Sequence, residues 1–416
     1  MPPTQSPQST QFLTRAVPAA DAEQIRFAGG INDDQFTTPS AQAGAWIAAS
    51  RHELRHNRCI AIPTETVYGL AANALDSGAV ESIFGAKGRP SDNPLIVHVS
   101  SVRMLRALYH LAPGESLDDN MQERLDDAEE SGGAWPEIPH VYHSAIQRFW
   151  PGALTIVVPR PACIPLAVVG GHGTTVAVRL PAHPVARAII AASGLPLAAP
   201  SANTSGRPSP TTAEHVARDL SGLIPLIIDG GACAVGVEST VVDAYSATAF
   251  VDGALSPCVL RPGGVTVESL KSLGGCWEKL RVYRRDFAGK ELEKTPTTPG
   301  MKYRHYSPTA PVYLFTGASQ HLSMQQTIDQ LAQSPGISRI GVVAVGAKPD
   351  FTTSAELAVY CVEDARGLAH DIFGLLRRLD ETDHVDAILV QGVDDRDEGL
   401  AVMNRLEKAA SHVKHV

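Results

Sequence analysis

Between Lys87 and Ser101 the chain reads KGRPSDNPLIVHVSS. Lys87 and Arg89 stand two residues apart, and two cations that close repel each other unless something anionic lies nearby. A helix ending here would favour them by about 0.3–1 kcal/mol through its dipole, but that leaves Asn93 and His98 unexplained. An anion site accounts for more. Arg89 can grip a phosphate or carboxylate with its fork, Lys87 acts as a point charge, and Asn93 can donate to a phosphate oxygen. His98 falls inside the strand-like run LIVHV, where a histidine is as often packed as functional.

Four further stretches add polar groups. APSANTSGRPSPTT, residues 199–212, follows an apolar run and precedes the helical AEHVARDL. Thr211 and Thr212 suffice to cap that helix. Ser201 and Asn203 then need another partner, and a ligand is a natural one. In IPTETVYGL a strand stops at Pro63 and a polar turn carrying Thr66 follows. In TTVAVRLP, Thr175 and Arg179 share a strand face, and an inward arginine there needs an anionic partner. VGVESTVVD holds Glu238 and Ser239, and LRPGG holds Arg261, which reads either as a surface cation or as a phosphate contact. No GxSxG, HExxH, GxGxxG or Walker pattern occurs. This inventory suits an anionic, hydroxyl-bearing ligand and a polyphosphate rather than covalent catalysis.

The elements that position these groups read as an α/β chain. Residues 1–43 are polar and rich in Pro, Gln, Ser and Thr, and are expected to be a poorly ordered extension with at most one short element. Residues 44–284 mix short apolar strands with helices. One helix, in DSGAVESIFGAKGR, is capped by Asp76 or Ser77, with Ala79, Val80, Ile83 and Phe84 on one face. Residues 112–140 form an acidic surface insertion whose charge reads as a solvated face. Residues 285–310 read as a linker, yet MKYRHY is too aromatic and basic for a spacer. Strands alternating with helices over 311–416 predict a small doubly wound, Rossmann-like α/β domain.

The net charge of -9 argues against a globally basic nucleic-acid binder, while leaving room for a local cationic pocket. The six cysteines form no C-x-x-C pair, so no metal site is expected, and buried reduced thiols in a cytoplasmic protein are. No secretory pattern opens the sequence, and no apolar run approaches the roughly 20 residues of a membrane span.

Taken in order, these stretches resemble the YrdC-type threonylcarbamoyl-AMP synthases over residues 44–280. KGRP with NPL, PSANTSG, and ESTVVD with LRPG carry the likeness. PGMKYRHYSP and the trailing α/β domain are similar to the long, two-domain form. The insertion and the N-terminal extension are longer than the family leads one to expect. The resemblance implies a twisted α/β sheet with a concave cationic cavity. It implies synthesis of threonylcarbamoyl-AMP from L-threonine, bicarbonate or carbon dioxide, and ATP, releasing pyrophosphate. The product would serve threonylcarbamoyladenosine formation by a downstream tRNA-modifying machinery. A catalytic set of Lys87, Arg89, Ser201 and Asn203 is implied. Threonine would lie on Thr66, His98, Arg179, Ser201 and Ser239. ATP would lie on Arg89, Asn93, Thr175, Asn203, Thr211 and Arg261, with Tyr303 and His305 contributed by the linker. That linker, with Gly300 as hinge, reads as a water-excluding lid. Magnesium would arrive on the phosphates, since no carboxylate cluster is visible. Two other functions are weighed against this one. A carbamoyl-phosphate-dependent carbamoyltransferase of hydrogenase maturation would carry zinc-binding cysteine pairs and an acylphosphatase-like domain. A non-enzymatic RNA-binding regulator would need a broad basic face with aromatic platforms.

Overall fold

The computed structural model describes residues 12–38, 40–115, 117, 135–251, 253–283 and 305–416. An 11-stranded mixed sheet organises the first part. In chain order its strands are β1 (Arg15–Pro18), β2 (Ile60–Ile62), β3 (Gly69–Asn73), β4 (Ile96–His98), β5 (Leu154–Pro159) and β6 (Thr175–Arg179). They continue with β7 (Leu197–Ala198), β8 (Leu226–Asp229), β9 (Thr240–Asp243), β10 (Cys258–Arg261) and β11 (Arg281–Val282). Their spatial order is β1-β8-β2-β3-β7-β4-β6-β5-β9-β10-β11. β4 and β6 run parallel at its centre, pairing His98 with Arg179. That register sets two site residues side by side.

Alternation decides which face each side chain takes. Val176 and Val178 of β6 enter the main core, while Ala177 joins a smaller cluster with Ile96, Val157, Val241 and Leu260. Thr175, Ala177 and Arg179 therefore share the second face. The expected helix forms as α1 (Ser77–Lys87), where the Asp76 carboxylate accepts from the Ala79 amide at 2.7 Å. Its apolar face is buried, and it ends at Gly88, whose φ of 59° favours a residue without Cβ. That left-handed turn separates Lys87 from Arg89.

Residues 1–11 lie outside the described residues, but the rest of the N-terminal stretch departs from expectation. β1 pairs in parallel with β8 at the edge of the large sheet. The Phe27 ring lies under the Arg187 guanidinium, 3.8 Å from its centre, and the Ile31 carbonyl accepts from the Val102 amide. Polar composition hid this because strand addition is made by backbone groups and depends on the neighbouring edge. Much of the acidic insertion, residues 116 and 118–134, lies outside the described residues. Within the remainder, Glu137 is not a solvated charge: it pairs with Arg106 at 2.8 Å in a mostly buried contact. The linker glycine and Tyr303 also lie outside the described residues. Cys59, Cys163, Cys233 and Cys258 are buried as expected, whereas Cys361 is exposed.

Residues from 311 onward build a five-stranded, wholly parallel sheet. Its strands are β12 (Val312–Thr316), β13 (Arg339–Val345), β14 (Glu356–Val362), β15 (Ala387–Gln391) and β16 (His412–His415), in the order β14-β13-β15-β12-β16. Helices α2 (Gln320–Ala332), α3 (Ala365–Arg377) and α4 (Glu398–Ala409) cover it. Leu314, Val343 and Ile388 pack against α3 and α4, and Phe315, Val342 and Leu389 against α2. Helices thus cover both faces, the doubly wound arrangement expected. Val67 and Val237 of the first part belong to the same apolar cluster as Leu368 and Ile372, so the two sheets share a core where they meet. Among the described residues, no helix is long and apolar enough to cross a membrane.

Candidate active site

One cavity gathers the chemistry. Its walls are Arg89 after α1, His98 of β4, Arg179 of β6, Ser201 after β7, Ser239 before β9 and Arg261 ending β10, with His305 and Tyr306 closing one side. Thr64, Thr66 and Glu238 complete the polar lining.

Lys87 is buried and holds the loop after β7. Its ammonium donates to the Asn203 carbonyl at 2.6 Å and to the Ser201 carbonyl, with the Asn203 side-chain oxygen at 3.4 Å. Burial, with Arg89 alongside, pushes its pKa well below that of a free lysine. Burial also lowers Arg89, to about 10, with Arg261 adding to it. Arg89 donates weakly to the Pro94 carbonyl at 3.4 Å, and its buried Nε has no partner. Asn93 Oδ1 and His305 Nδ1 are likewise buried without partners. Each unmet group costs about 1–3 kcal/mol, and for Arg89 and His305, which line the cavity, a polar ligand would relieve it.

Arg179 makes three contacts. It donates to the Thr66 hydroxyl at 2.8 Å, to Glu65 at 2.7 Å and to the Gly152 carbonyl at 3.0 Å. Burial drives the Glu65 carboxyl upward, but Arg179 outweighs it and the net shift is downward. His98 is 3% exposed, and burial with Arg179 nearby lowers it to about 3. The ring is therefore neutral near pH 7 and can accept or donate a hydrogen bond. Ser239 shares a hydrogen bond of 2.7 Å with Thr155, and Arg261 donates to its hydroxyl at 3.1 Å and its carbonyl at 2.9 Å. Burial raises the Glu238 carboxyl, but Arg405 and Arg261 overcome it and hold it at about 2.

The structure thus brings Thr66, Arg89, His98, Arg179, Ser201, Ser239, Arg261 and His305 to one cavity, with Lys87 and Asn203 directly behind Ser201. Asn203 uses its amide nitrogen within its own loop, on the Thr204 and Arg207 carbonyls. Thr175, Thr211 and Asn93 do not line the cavity; the Thr211 amide donates to His215 at 3.2 Å.

Residues 52–263 match the Sua5–YciO–YrdC family, described as "Telomere recombination", and residues 265–411 match "Threonylcarbamoyl-AMP synthase, C-terminal domain". A threonylcarbamoyl-AMP synthase of Schizosaccharomyces pombe is 44% identical over 85% of each chain. The chain belongs to the threonylcarbamoyl-AMP synthase family. A Bacillus subtilis member is 40% identical over 91% of this chain and 95% of its own. The crystal structure of Pyrococcus abyssi Sua5 complexed with L-threonine superposes with a TM-score of 0.73 at 36% identity, covering 97% of this chain and 99% of that one. The family's two-part architecture is the one seen here.

Sequence reasoning passed over Glu65, Thr64, Tyr306 and the pairing of Glu238. Glu65 sits beside Thr66 in a turn already singled out, and the need of Arg179 for an anion pointed to a carboxylate. Nothing in the local sequence linked the two, which are 114 positions apart. Tyr306 is 2% exposed against Phe373 of α3, a contact that only the folded second part can create.

Proposed function

We propose that this chain condenses L-threonine, bicarbonate or dissolved carbon dioxide, and ATP to threonylcarbamoyl-AMP and pyrophosphate, for transfer to tRNA by a separate machinery. The observation that carries this reading is the convergence of five separated stretches on one cationic, hydroxyl-lined cavity. The match of the second part to a domain named for that synthase favours it over a carbamoyl-phosphate-dependent transferase.

The threonine amine takes up carbon dioxide and loses a proton, giving a carbamate. A carbamate oxygen then bonds to the α-phosphorus as the bond to the β-phosphate bridging oxygen breaks, and pyrophosphate leaves. The carbamate, which also keeps the threonine carboxylate, and ATP are both anionic, so their approach in water is opposed. Arg89, Arg261 and Lys87 offset that repulsion along the phosphates, and Arg179 does so at the threonine carboxylate. Thr66, Ser201 and Ser239 orient the amino acid, and the neutral His98 leaves room for its amine. Positioning of this kind is worth about 7–11 kcal/mol in favourable cases. Fixed donors add stabilisation where charge develops. His305 lines the cavity and belongs to the nucleotide side of this reading, whereas Asn93, Thr175, Asn203 and Thr211 stand outside its lining and Tyr303 outside the described residues, so their assignment to ATP rests on the family resemblance alone.

The described residues do not fit a protein-held magnesium ion. No group of three or more His, Cys, Asp or Glu among them can hold a metal. Glu65 is committed to Arg179 and Glu238 to Arg405. Magnesium would enter on the nucleotide, with water completing its shell, and no step here runs through it.

Mass spectrometry of products formed from ATP, bicarbonate and each amino acid in turn tests the reading. Threonine is expected to give the acyl-adenylate with matching pyrophosphate release. An equal yield from all amino acids, or none from any, would overturn it.

A further inference from the structure

Two arginines of the second α/β part are buried to 1% exposure, and beyond their contacts within that part, Arg377 with Glu381 and Arg405 with Asn404, both reach into the large-sheet part. Arg405 of α4 donates from Nε to Glu238 at 2.9 Å and from Nη1 to the Pro262 carbonyl. Arg377 of α3 donates from Nη2 to the Pro208 carbonyl and to Asp219, both at 2.7 Å. Each therefore crosses to the large-sheet part and takes hold of a loop.

The loops they hold are those that line the cavity. Glu238 precedes Ser239, and Pro262 follows Arg261. Arg405 so clamps both ends of the hairpin whose Ser239 and Arg261 are hydrogen-bonded to each other. Pro208 lies in the loop of Ser201 and Asn203, and Asp219 accepts from the Thr204 amide at 3.2 Å. The Ser209 hydroxyl donates to Glu238 at 2.7 Å and joins the two loops. The chain of contacts runs from α3 and α4 through Pro208, Asp219, Glu238 and Pro262 to the cavity wall.

We infer that Arg405 and Arg377 are positioning residues for the substrate site, so that the C-terminal α/β unit is a working part of that site. Neither arginine lines the cavity. They act by fixing where Ser239, Arg261, Ser201 and Asn203 stand, at the tolerance that positioning requires. The catalytic consequence rests on the function proposed above; the mechanical part does not.

The test uses the full chain with Arg405→Met, Arg377→Met and, as a control at the start of β13 in the same part, Arg339→Met. Below the unfolding temperature of each variant, kcat/KM for threonine and ATP is expected to fall about tenfold or more for the first two and to hold for the control. Arg405→Ala is expected to recover part of its activity with added methylguanidinium, which a general loss of stability would not allow. Arg405→Lys serves in place of the methionine variant should that one not fold. Unchanged kcat/KM with only a lowered unfolding temperature overturns the inference. Amide hydrogen exchange decides independently of turnover, even if the wild-type chain forms no acyl-adenylate. Arg405→Met should loosen residues 237–264 most, and Arg377→Met residues 201–209 most. Equal loosening of the whole chain in both would overturn it.

Discussion

The Lys87 ammonium lies 2.6 Å from the Asn203 carbonyl oxygen, and the Lys87 carbonyl in turn accepts from the Ser205 amide at 2.9 Å. Two segments more than a hundred residues apart are thus tied at a buried point behind Ser201. Lys87 fixes the loop that presents Ser201, and in the proposed reaction it would also carry charge toward the phosphates.

Replacing Lys87 with methionine removes both roles. Acyl-adenylate formation should fall by about 100-fold or more. Stability should fall by about 1–3 kcal/mol, because the Ser201 and Asn203 carbonyls lose their donor. Single-turnover product formation and urea unfolding measure the two effects. Full activity in the variant would remove Lys87 from the reaction.

Glu65→Gln leaves the Arg179 guanidinium buried without its counter-charge. Breaking such a pair from one side costs about 3–5 kcal/mol. The unfolding temperature should drop, and the threonine KM should rise as Arg179 loses its fixed orientation. An unchanged unfolding temperature would mean that solvent or another carboxylate compensates.

Acid should destabilise the fold in two stages. His98 is held at about 3 against 6.5 when free, so below pH 6.5 the unfolded ring binds a proton that the native ring refuses. Stability attributable to it is present above pH 6.5 and is lost as pH falls toward 3. Glu238, held at about 2 against 4.5, has the same sign and acts below pH 4.5. Urea midpoints taken from pH 7 to 3.5 should therefore decline from near 6.5 onward. His215 and His305, held at about 4 and about 3 by burial, act in the same window, so His98→Gln should make the upper limb shallower, and a profile identical to wild type would rule out its contribution.

Gly263 packs so closely that a Cβ there would collide with the Glu238 carbonyl and the Ser239 backbone. Backbone cannot yield as a flexible side chain does, so Gly263→Ala should displace Ser239. Activity should drop at least about tenfold with modest loss of stability, read from kcat/KM and calorimetry. Wild-type kinetics would show that this hairpin tolerates the shift.

Much of this molecule was legible in one dimension because its information is local. Helix caps, alternation and turn residues act over a few positions, so α1, its Asp76 cap and most strands followed from them. Chemistry-bearing stretches stood out for the same reason: Lys, Arg, Ser and Asn crowd there beyond what helix caps and turns require. Three things escaped. β1 depends on an exposed strand edge formed by residues 226–229. Glu65 meets Arg179 only because the sheet sets β6 near the turn after β2. Arg377 and Arg405 look like ordinary helical arginines, and only the seam between the two sheets turns them inward onto Asp219 and Glu238. Sequence alone determined which residue types could bind anions and which segments would form strands or helices, since those follow from side-chain chemistry and short-range sterics. The tertiary structure decided which charges face one another, because pairing buried ions depends on distances that the intervening chain does not encode.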